Sequence, residues 1–334
     1  MKRRTILRWG WGLGASAATG LVASSKLGNS SQELQWVSRT FTAMGTSMTM
    51  QVAHFDAERA TRALDAAMAE IRHIEDQMSL FRPDSAICRL NRTGRLANPH
   101  PDMLEILRVA QQVAQQSQGA FDVKVQPLWL AFEEAKSLGR LPSAESVLAA
   151  RQQVGWSGLR VTESEVQLER AGMGITLNGI AQGYAADKVK ARLQGLGIAH
   201  ALINAGEWVS LGQPAHEGDW TLGVANPREA HQLITGISME GRSVATSADD
   251  QCTFSSDFVN HHIFDPHTGR SPTELSSVTV VAQKCVIADA LTKVFFMAGF
   301  DRALPLARKW GVDVLVVDKR GRWQASPGVS LRQT

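Results

Sequence analysis

The sequence predicts an α/β fold of the mixed α+β kind, and three patterns lead to it. Apolar and polar residues alternate from Phe41 to Val52, the period of a strand. Ala60, Leu64, Ala67, Ile71, Ile74 and Met78 then recur at helical spacing, the stripe of an amphipathic helix facing a core. Further on, a helix carrying Ala185, Val189, Leu193 and Leu196 ends at Gly197 and gives way to the apolar strand Ala201-Leu202-Ile203. Strand, helix and strand in succession are an α/β signature.

The remaining elements follow in order. Asp56 is placed to cap the first helix, since its carboxylate can accept the unpaired N–H groups of the first turn. Asp102, with Glu105 three residues later, predicts the start of a second helix whose apolar face is Met103, Leu107, Ala110 and Ala114. From Gly119 the texture changes to short apolar words, a helical stretch after Trp129 and a Gly- and Pro-punctuated region reaching about Gly158. Leu159 to Val161 and Val166 to Leu168 read as a hairpin, and Ile175 to Gly183 as the approach to the helix that precedes Ala201. Val278 to Ala282 reads as a strand, Ile287 to Ala298 as an apolar helix, and Val314 to Val317 with the turn Asp318-Lys319-Arg320-Gly321 as a terminal hairpin. No internal repeat appears, so one unit with two interleaved lobes is expected over residues 37–334.

Composition narrows the function. The chain has 334 residues, 44% hydrophobic and 20% charged, which suits a globular protein with a large core. The net charge of +3 comes from Lys2, Arg3, Arg4, Arg8 and Lys26, which precede Gly28 without an acid among them. The rest is nearly balanced and offers no clustered basic face, so nucleic acid is excluded as a partner. Arg3-Arg4, followed by a modestly apolar, Gly- and Ala-rich run ending near Ala23-Ser24-Ser25, reads as a twin-arginine-like export signal over residues 1–28. Residues 29–36 form a linker. Periplasmic localisation follows, with an uncleaved N-terminal membrane anchor as the variant reading. Cys88, Cys252 and Cys285 are widely spaced and lack metal-ligand spacing, so they are expected to be small apolar residues.

Several short segments carry residues fit for chemistry. Gly179 and Gly183 stand at a turn into a helix, where bare backbone N–H groups can approach a phosphate; a tight turn alone explains them equally. His261, His262 and His267 could suggest a metal, but their spacing also fits a strand entering the Pro266 to Gly269 turn. Asp289 stands near the start of an apolar helix, where the helix dipole favours an acid. Met44-Gly45-Thr46 reads as a bulged strand.

Taken in order, Met44-Gly45-Thr46, Ala120-Phe121-Asp122, Asn178 to Tyr184, Asn204-Ala205-Gly206, Ala245-Thr246-Ser247, His262 to Gly269 and Ala288 to Leu291 resemble the ApbE family of FAD:protein FMN transferases. The resemblance covers essentially the whole chain after the signal. It implies a two-lobed fold with FAD, as substrate, between the lobes. It also implies Mg²⁺, and transfer of the FMN half of FAD to a Ser or Thr hydroxyl of a client flavoprotein with release of AMP. Clients of the family belong to respiratory or electron-transfer systems, including accessory proteins of nitrous oxide respiration. Two alternatives stand beside transfer: hydrolysis of FAD to FMN and AMP, and a flavin-binding assembly factor without chemistry.

By the same resemblance, Met44, Ala120, Phe121, Asp122, Thr176, Gln182 and Ile263 contact the flavin nucleotide. His262 takes the proton of the client hydroxyl, as its ordinary pKa suits a general base, and Asp265 orients or binds. Gly179, through its carbonyl, and Asp289 hold the metal. The departures from the family are Thr176 where Asp is usual, Asn178 for Gly, Gln182 for Lys, and Glu207-Trp208 for Gly-Asp. The largest falls four residues after Asp289, where the family's metal-binding Thr is replaced by Lys293. Three readings are open there. Thr292, at the third position, can serve as the ligand. Lys293 can pair with Asp289 or the pyrophosphate and do part of the cation's work. Or Lys293 faces solvent while Asp289 and water hold Mg²⁺.

Overall fold

A computed structural model describes residues 33–215, 218–229 and 231–332. The export-signal reading of residues 1–28 therefore lies outside the described residues, as does the first half of the linker, residues 29–32. Among the described residues no helix is long and apolar enough to cross a membrane.

The chain opens with β1 (Gln35–Ala43) and β2 (Thr46–His54), an antiparallel pair. The single strand expected over Phe41 to Val52 is thus a hairpin. Met44 and Gly45 take φ of 49° and 75°, the left-handed pair that matches a two-residue turn to the twist of its strands. Partners across the turn, Phe41 with Met48 and Ala43 with Thr46, share a face but stand an odd number of residues apart, so the alternation slips by one residue at Met44-Gly45, a break easily lost in a short run. Helix α1 (Ala57–Met78) follows, with Asp56 accepting the N–H groups of Glu58 and Arg59, as its sequence predicts. Next come α2 (Ala86–Thr93), β3 (Arg95–Ala97) and α3 (Pro101–Gln116). Helix α3 is capped by His100 with Pro101 at its first position, rather than by Asp102. Asp102 instead turns inward, where Lys188 (2.8 Å) and the Tyr184 hydroxyl (2.8 Å) hold it.

The Gly- and Pro-punctuated stretch contains α4 (Gln126–Ser137) and α5 (Ala144–Arg151), then β4 (Leu159–Val161) and β5 (Glu165–Leu168). Helix α6 (Ala181–Gly195) leads to β6 (His200–Asn204), β7 (Trp208–Leu211), β8 (Thr221–Ala225), β9 (Leu233–Ser238) and β10 (Ser243–Ala248). The chain closes with β11 (Leu275–Ala282), α7 (Cys285–Ala298), α8 (Phe300–Trp310), β12 (Asp313–Asp318), β13 (Trp323–Ala325) and β14 (Leu331–Arg332).

Eight strands form one sheet in the order β1-β2-β6-β7-β10-β11-β12-β13, and every neighbouring pair is antiparallel. The strand after α6 therefore joins the sheet without a parallel crossover, placing the fold on the α+β side of the mixed class. The central strands bury both faces by alternation. On β12, Val314 and Val316 join the core formed with α1, α6 and α7, while Leu315 and Val317 face Trp208, Trp220, Ile237 and Met239 on the other side. A three-stranded sheet, β14-β9-β8, covers that second face. A third core, Leu128, Phe132, Val147 and Phe264, ties α4 and α5 to the loop after β10.

Helices α6 and α7 meet at Gly183. A Cβ at that position would lie 2.4 Å from the Cys285 carbonyl oxygen and 2.8 Å from the Asp289 Cβ, so only glycine permits the approach. One turn along, the Asp187 carboxylate accepts the first N–H groups of α7, from Cys285 and Val286, at 2.9 Å each. This cap comes from another helix, and Lys284, at the cap position, supplies no side-chain bond. Gly183→Ala is expected to destabilise the protein by about 1–3 kcal/mol or more, the cost of overpacking a rigid contact. Urea unfolding of the variant against the parent checks it; unchanged stability would mean that the helices part without cost.

Candidate active site

One cavity of about 900 Å³ opens among these elements, toward the upper end of volumes typical of small-molecule sites. Its walls come from segments far apart in sequence. The β1–β2 turn supplies Gly45 and Thr46. The segment before α4 supplies Ala120, Phe121 and Asp122, and the approach to α6 supplies Thr176, Asn178, Gly179 and Gln182. Gly206, Glu207 and Trp208 come from the start of β7, Thr246 and Ser247 from β10, His262 and Ile263 from the loop beyond it, and Asp289 and Lys293 from α7.

Ten of the thirteen site residues predicted from sequence line this cavity: Ala120, Phe121, Asp122, Thr176, Gly179, Gln182, His262, Ile263, Asp289 and Lys293. Three do not. Met44 lies in a small pocket with Met78 and Gln182, its N–H donated to Glu75. Asp265 organises the turn after His262, its carboxylate accepting from the His267 N–H (2.9 Å) and the Thr268 hydroxyl (3.1 Å). Thr292 is buried, and its hydroxyl donates to the Asp289 carbonyl at 2.7 Å. The Ser247 hydroxyl, 2.8 Å away, is then left to donate to Thr292.

The three neighbouring histidines diverge. His261 is fully buried, with Nε2 donating to the Pro272 carbonyl (3.1 Å) and Nδ1 accepting from the Ile263 N–H (3.4 Å). Burial pulls its pKa down to about 4, so it is a neutral structural residue. His267 is exposed, with ring nitrogens 3.3 Å from Asp265 and 3.1 Å from the Gln118 carbonyl. His262 alone reaches the cavity; its N–H donates to the Cys252 carbonyl at 3.0 Å, and its Nδ1 lies 3.3 Å from the same oxygen.

Charge concentrates where α6, α7 and β7 meet. Asp289 is 1% exposed, low enough that every polar atom must find a partner. Its Oδ2 accepts the Gly183 N–H at 3.0 Å, and its Oδ1 accepts from Lys293 Nζ at 2.6 Å. Lys293 Nζ also donates to the Asp289 carbonyl at 3.0 Å. Its stem crosses Gly179, where an added Cβ would stand 3.0 Å from the Lys293 Cε. Glu207 is buried beside the pair and accepts the Thr246 N–H at 3.0 Å. Burial first, and the Asp289 charge second, hold the Glu207 carboxyl well above the ordinary range, against the pull of Lys293. Gly206, at φ 96°, lets the chain turn beneath the Gln182 side chain, whose Cδ would be 2.5 Å from an added Cβ.

Sequence reasoning missed Phe81, Gln126, Trp129, Asp250 and Gln251, all of which line the cavity. Trp129 carried a usable signal, an aromatic residue close after the Ala120-Phe121-Asp122 segment. Asp250 carried another, an acid paired in sequence with Asp249 just beyond Ala245-Thr246-Ser247. Phe81 carried none, because it reaches the site only through the turn after α1.

Fold and site together define an α+β protein with a nucleotide-sized cleft, set over a helix start and an acid–lysine pair. The model of the ApbE family matches residues 44–316, and the chain belongs to that family. Among relatives, the FAD:protein FMN transferase of Salmonella typhimurium is 27% identical, with 83% of each chain covered. That of Treponema pallidum is 30% identical over 80% of each. Among solved structures, the ApbE protein of Thermotoga maritima superposes with a TM-score of 0.79 at 26% identity, covering 88% of this chain and 97% of that one. The apo flavinyl transferase ApbE of Pseudomonas stutzeri gives 0.75 at 26% identity, covering 88% and 95%.

Asp122 offers a test of the cavity's electrostatics. It is 5% exposed and caps a single 3-10 turn through the Lys124 N–H (2.8 Å). Burial pushes its pKa up to about 6, outweighing the Lys124 N–H and charge. A carboxyl raised in the folded state stabilises the fold below the unfolded value near 4 and loses that contribution as pH rises through about 6. Asp122→Asn keeps the cap acceptor and cannot ionise. Its stability relative to the parent is expected to improve by up to about 3 kcal/mol between pH 4 and pH 7. Urea unfolding of both proteins at the two pH values, without FAD, measures this.

Proposed function

We propose that this chain is an FAD:protein FMN transferase, acting on a Ser or Thr hydroxyl of a client flavoprotein. The observation that carries the reading is the placement of His262 and the Lys293–Asp289 pair on the walls of one nucleotide-sized cavity. A general base and a charge-bearing cluster in one cleft suit phosphoryl-type transfer, which needs positioning and charge stabilisation more than covalent chemistry.

In this mechanism FAD lies in the cavity with its pyrophosphate toward the Gly179 to Gly183 segment and α7. The Gly183 N–H is engaged by Asp289, so that segment presents the pyrophosphate chiefly with small backbone and the adjoining ammonium. The client hydroxyl attacks the FMN-side phosphorus. A phosphorus–oxygen bond forms to the client, the bond to the AMP phosphate oxygen breaks, and AMP leaves with that oxygen. The hydroxyl proton passes to His262, whose ring is steadied by its contact with the Cys252 carbonyl. Apolar and aromatic surface from Phe81, Phe121 and Trp129 gives the flavin ring its wall and excludes water.

The Mg²⁺ site implied by resemblance at Gly179, Asp289 and Thr292 does not fit these side chains. Both Asp289 oxygens are engaged, one by an ammonium, and the Thr292 hydroxyl is held between the Asp289 carbonyl and the Ser247 hydroxyl. The twin-arginine-like segment supports a periplasmic enzyme whose client belongs to an exported respiratory or electron-transfer system, with residues 1–28 either cleaved or kept as an anchor.

The purified enzyme is incubated with FAD and a flavin-acceptor domain, following AMP by chromatography and flavin fluorescence on the denatured acceptor. Labelling in step with AMP is expected. His262→Ala should lower the rate by about 10²–10⁴-fold, the contribution usual for a general base, while leaving FAD binding intact. AMP without labelling would replace transfer by hydrolysis, and a fully active His262→Ala would remove His262 from the mechanism.

A further inference from the structure

We propose that the ammonium of Lys293 takes the place of a divalent cation at the pyrophosphate of FAD, so that this chain binds FAD and transfers FMN without Mg²⁺. The inference rests on the transferase reading and deepens it at the same site.

Lys293 follows Asp289 by one helical turn on α7, the spacing that puts two side chains on one face. Its Nζ is 2.6 Å from Asp289 Oδ1, the length of a charge-assisted bond, and 3.0 Å from the Asp289 carbonyl oxygen. An ammonium has three N–H bonds. Two point at Asp289, and the third is left for an acceptor in the cavity that Lys293 lines. The side chain is only 17% exposed, so its charge acts through partly desolvated surroundings rather than through bulk water.

The groups that a metal would need are engaged otherwise. Mg²⁺ demands near-octahedral oxygen ligands at short range and gives up its waters reluctantly. Here Asp289 Oδ1 already holds a cation, Oδ2 accepts a backbone N–H, and the carbonyl of Asp289 takes bonds from both Thr292 and Lys293. The Lys293 stem also covers Gly179. A divalent ion at Asp289 would therefore sit beside a like charge bonded to the same carboxylate. Glu207 is the other ionisable group beside the pair, and its carboxylate accepts the Thr246 N–H at 3.0 Å. The arrangement is an ammonium held in place by its ion pair with Asp289 on the cavity wall, with one N–H to spare for an acceptor in the cleft.

The experiment measures FAD affinity first, by quenching of flavin fluorescence, on the parent enzyme stripped of metal with EDTA and again with millimolar Mg²⁺. The same two affinities are measured for Lys293→Thr, which places a hydroxyl four residues after Asp289, and AMP release in the presence of an acceptor domain is then followed under both conditions. The parent is expected to bind FAD equally in both. Lys293→Thr should bind about ten- to a hundredfold more weakly in EDTA, the worth of one charge-assisted bond, and recover with Mg²⁺. A parent whose affinity or AMP release collapses in EDTA and returns with Mg²⁺ would overturn the inference, even if the variant fails to fold. So would Lys293→Thr binding FAD as tightly as the parent in EDTA. Metal-independent FAD binding by the parent, lost in the variant, with no AMP released under either condition, would keep Lys293 as the cation that binds FAD but overturn transfer, and with it the transferase reading.

Discussion

The contact between α6 and α7 at Gly183 is the constraint on which the rest of the site depends. Without a side chain at that position, the Cys285 carbonyl and Asp289 come close enough for the Gly183 N–H to reach the Asp289 carboxylate at 3.0 Å. Asp187, one turn along α6, satisfies the open end of α7 from outside that helix. The two helices are thereby locked in register as well as in distance. That register places Asp289 and Lys293 against the Gly179 segment, because the loop that enters α6 is carried by the helix that α7 packs against.

The sheet supplies the second condition. Its antiparallel order brings β2, β6, β7 and β10 side by side, so the turn after β1, the start of β7 and the end of β10 open onto one cleft. The strands bury apolar residues on both faces, with helices on one side and the β14-β9-β8 sheet on the other. A cleft built on such a support keeps its walls in place while polar and charged groups stand in it, the requirement for electrostatic preorganisation. Within it, the acid–lysine pair is a closed unit: each charge is matched within the unit, and one ammonium N–H is to spare.

Much of this was legible in the sequence. The helical stripe from Ala60 to Met78, the Asp56 cap, the Leu159 to Leu168 hairpin, the buried strand at Ala201 to Ile203 and the terminal hairpin are local patterns, set by period and turn chemistry, and the structure has them. The β1–β2 hairpin and the cap of α3 were misread because the local signals were degenerate. A two-residue turn shifts the alternation by a single residue, a slip easily read through, and an acid two residues inside a helix looks like a cap. Helix α8 was hidden by Pro305 within it, and β7 to β10 by their short, mixed runs. The candidate site was legible as a set of separated segments, ten of whose thirteen residues line one cavity.

What the sequence by itself determined was the fold class, the succession of elements and the identities of the groups able to bear charge or take a proton. What only the tertiary structure decided was which of those groups meet. Asp265 and Thr292 look as eligible as His262 and Lys293 in the sequence, but one turns into its own loop and the other into its own helix. The physical reason is that a short polar side chain finds its nearest backbone partner first, whereas Lys293 has a stem long enough to cross Gly179 and reach Asp289 at the cavity wall.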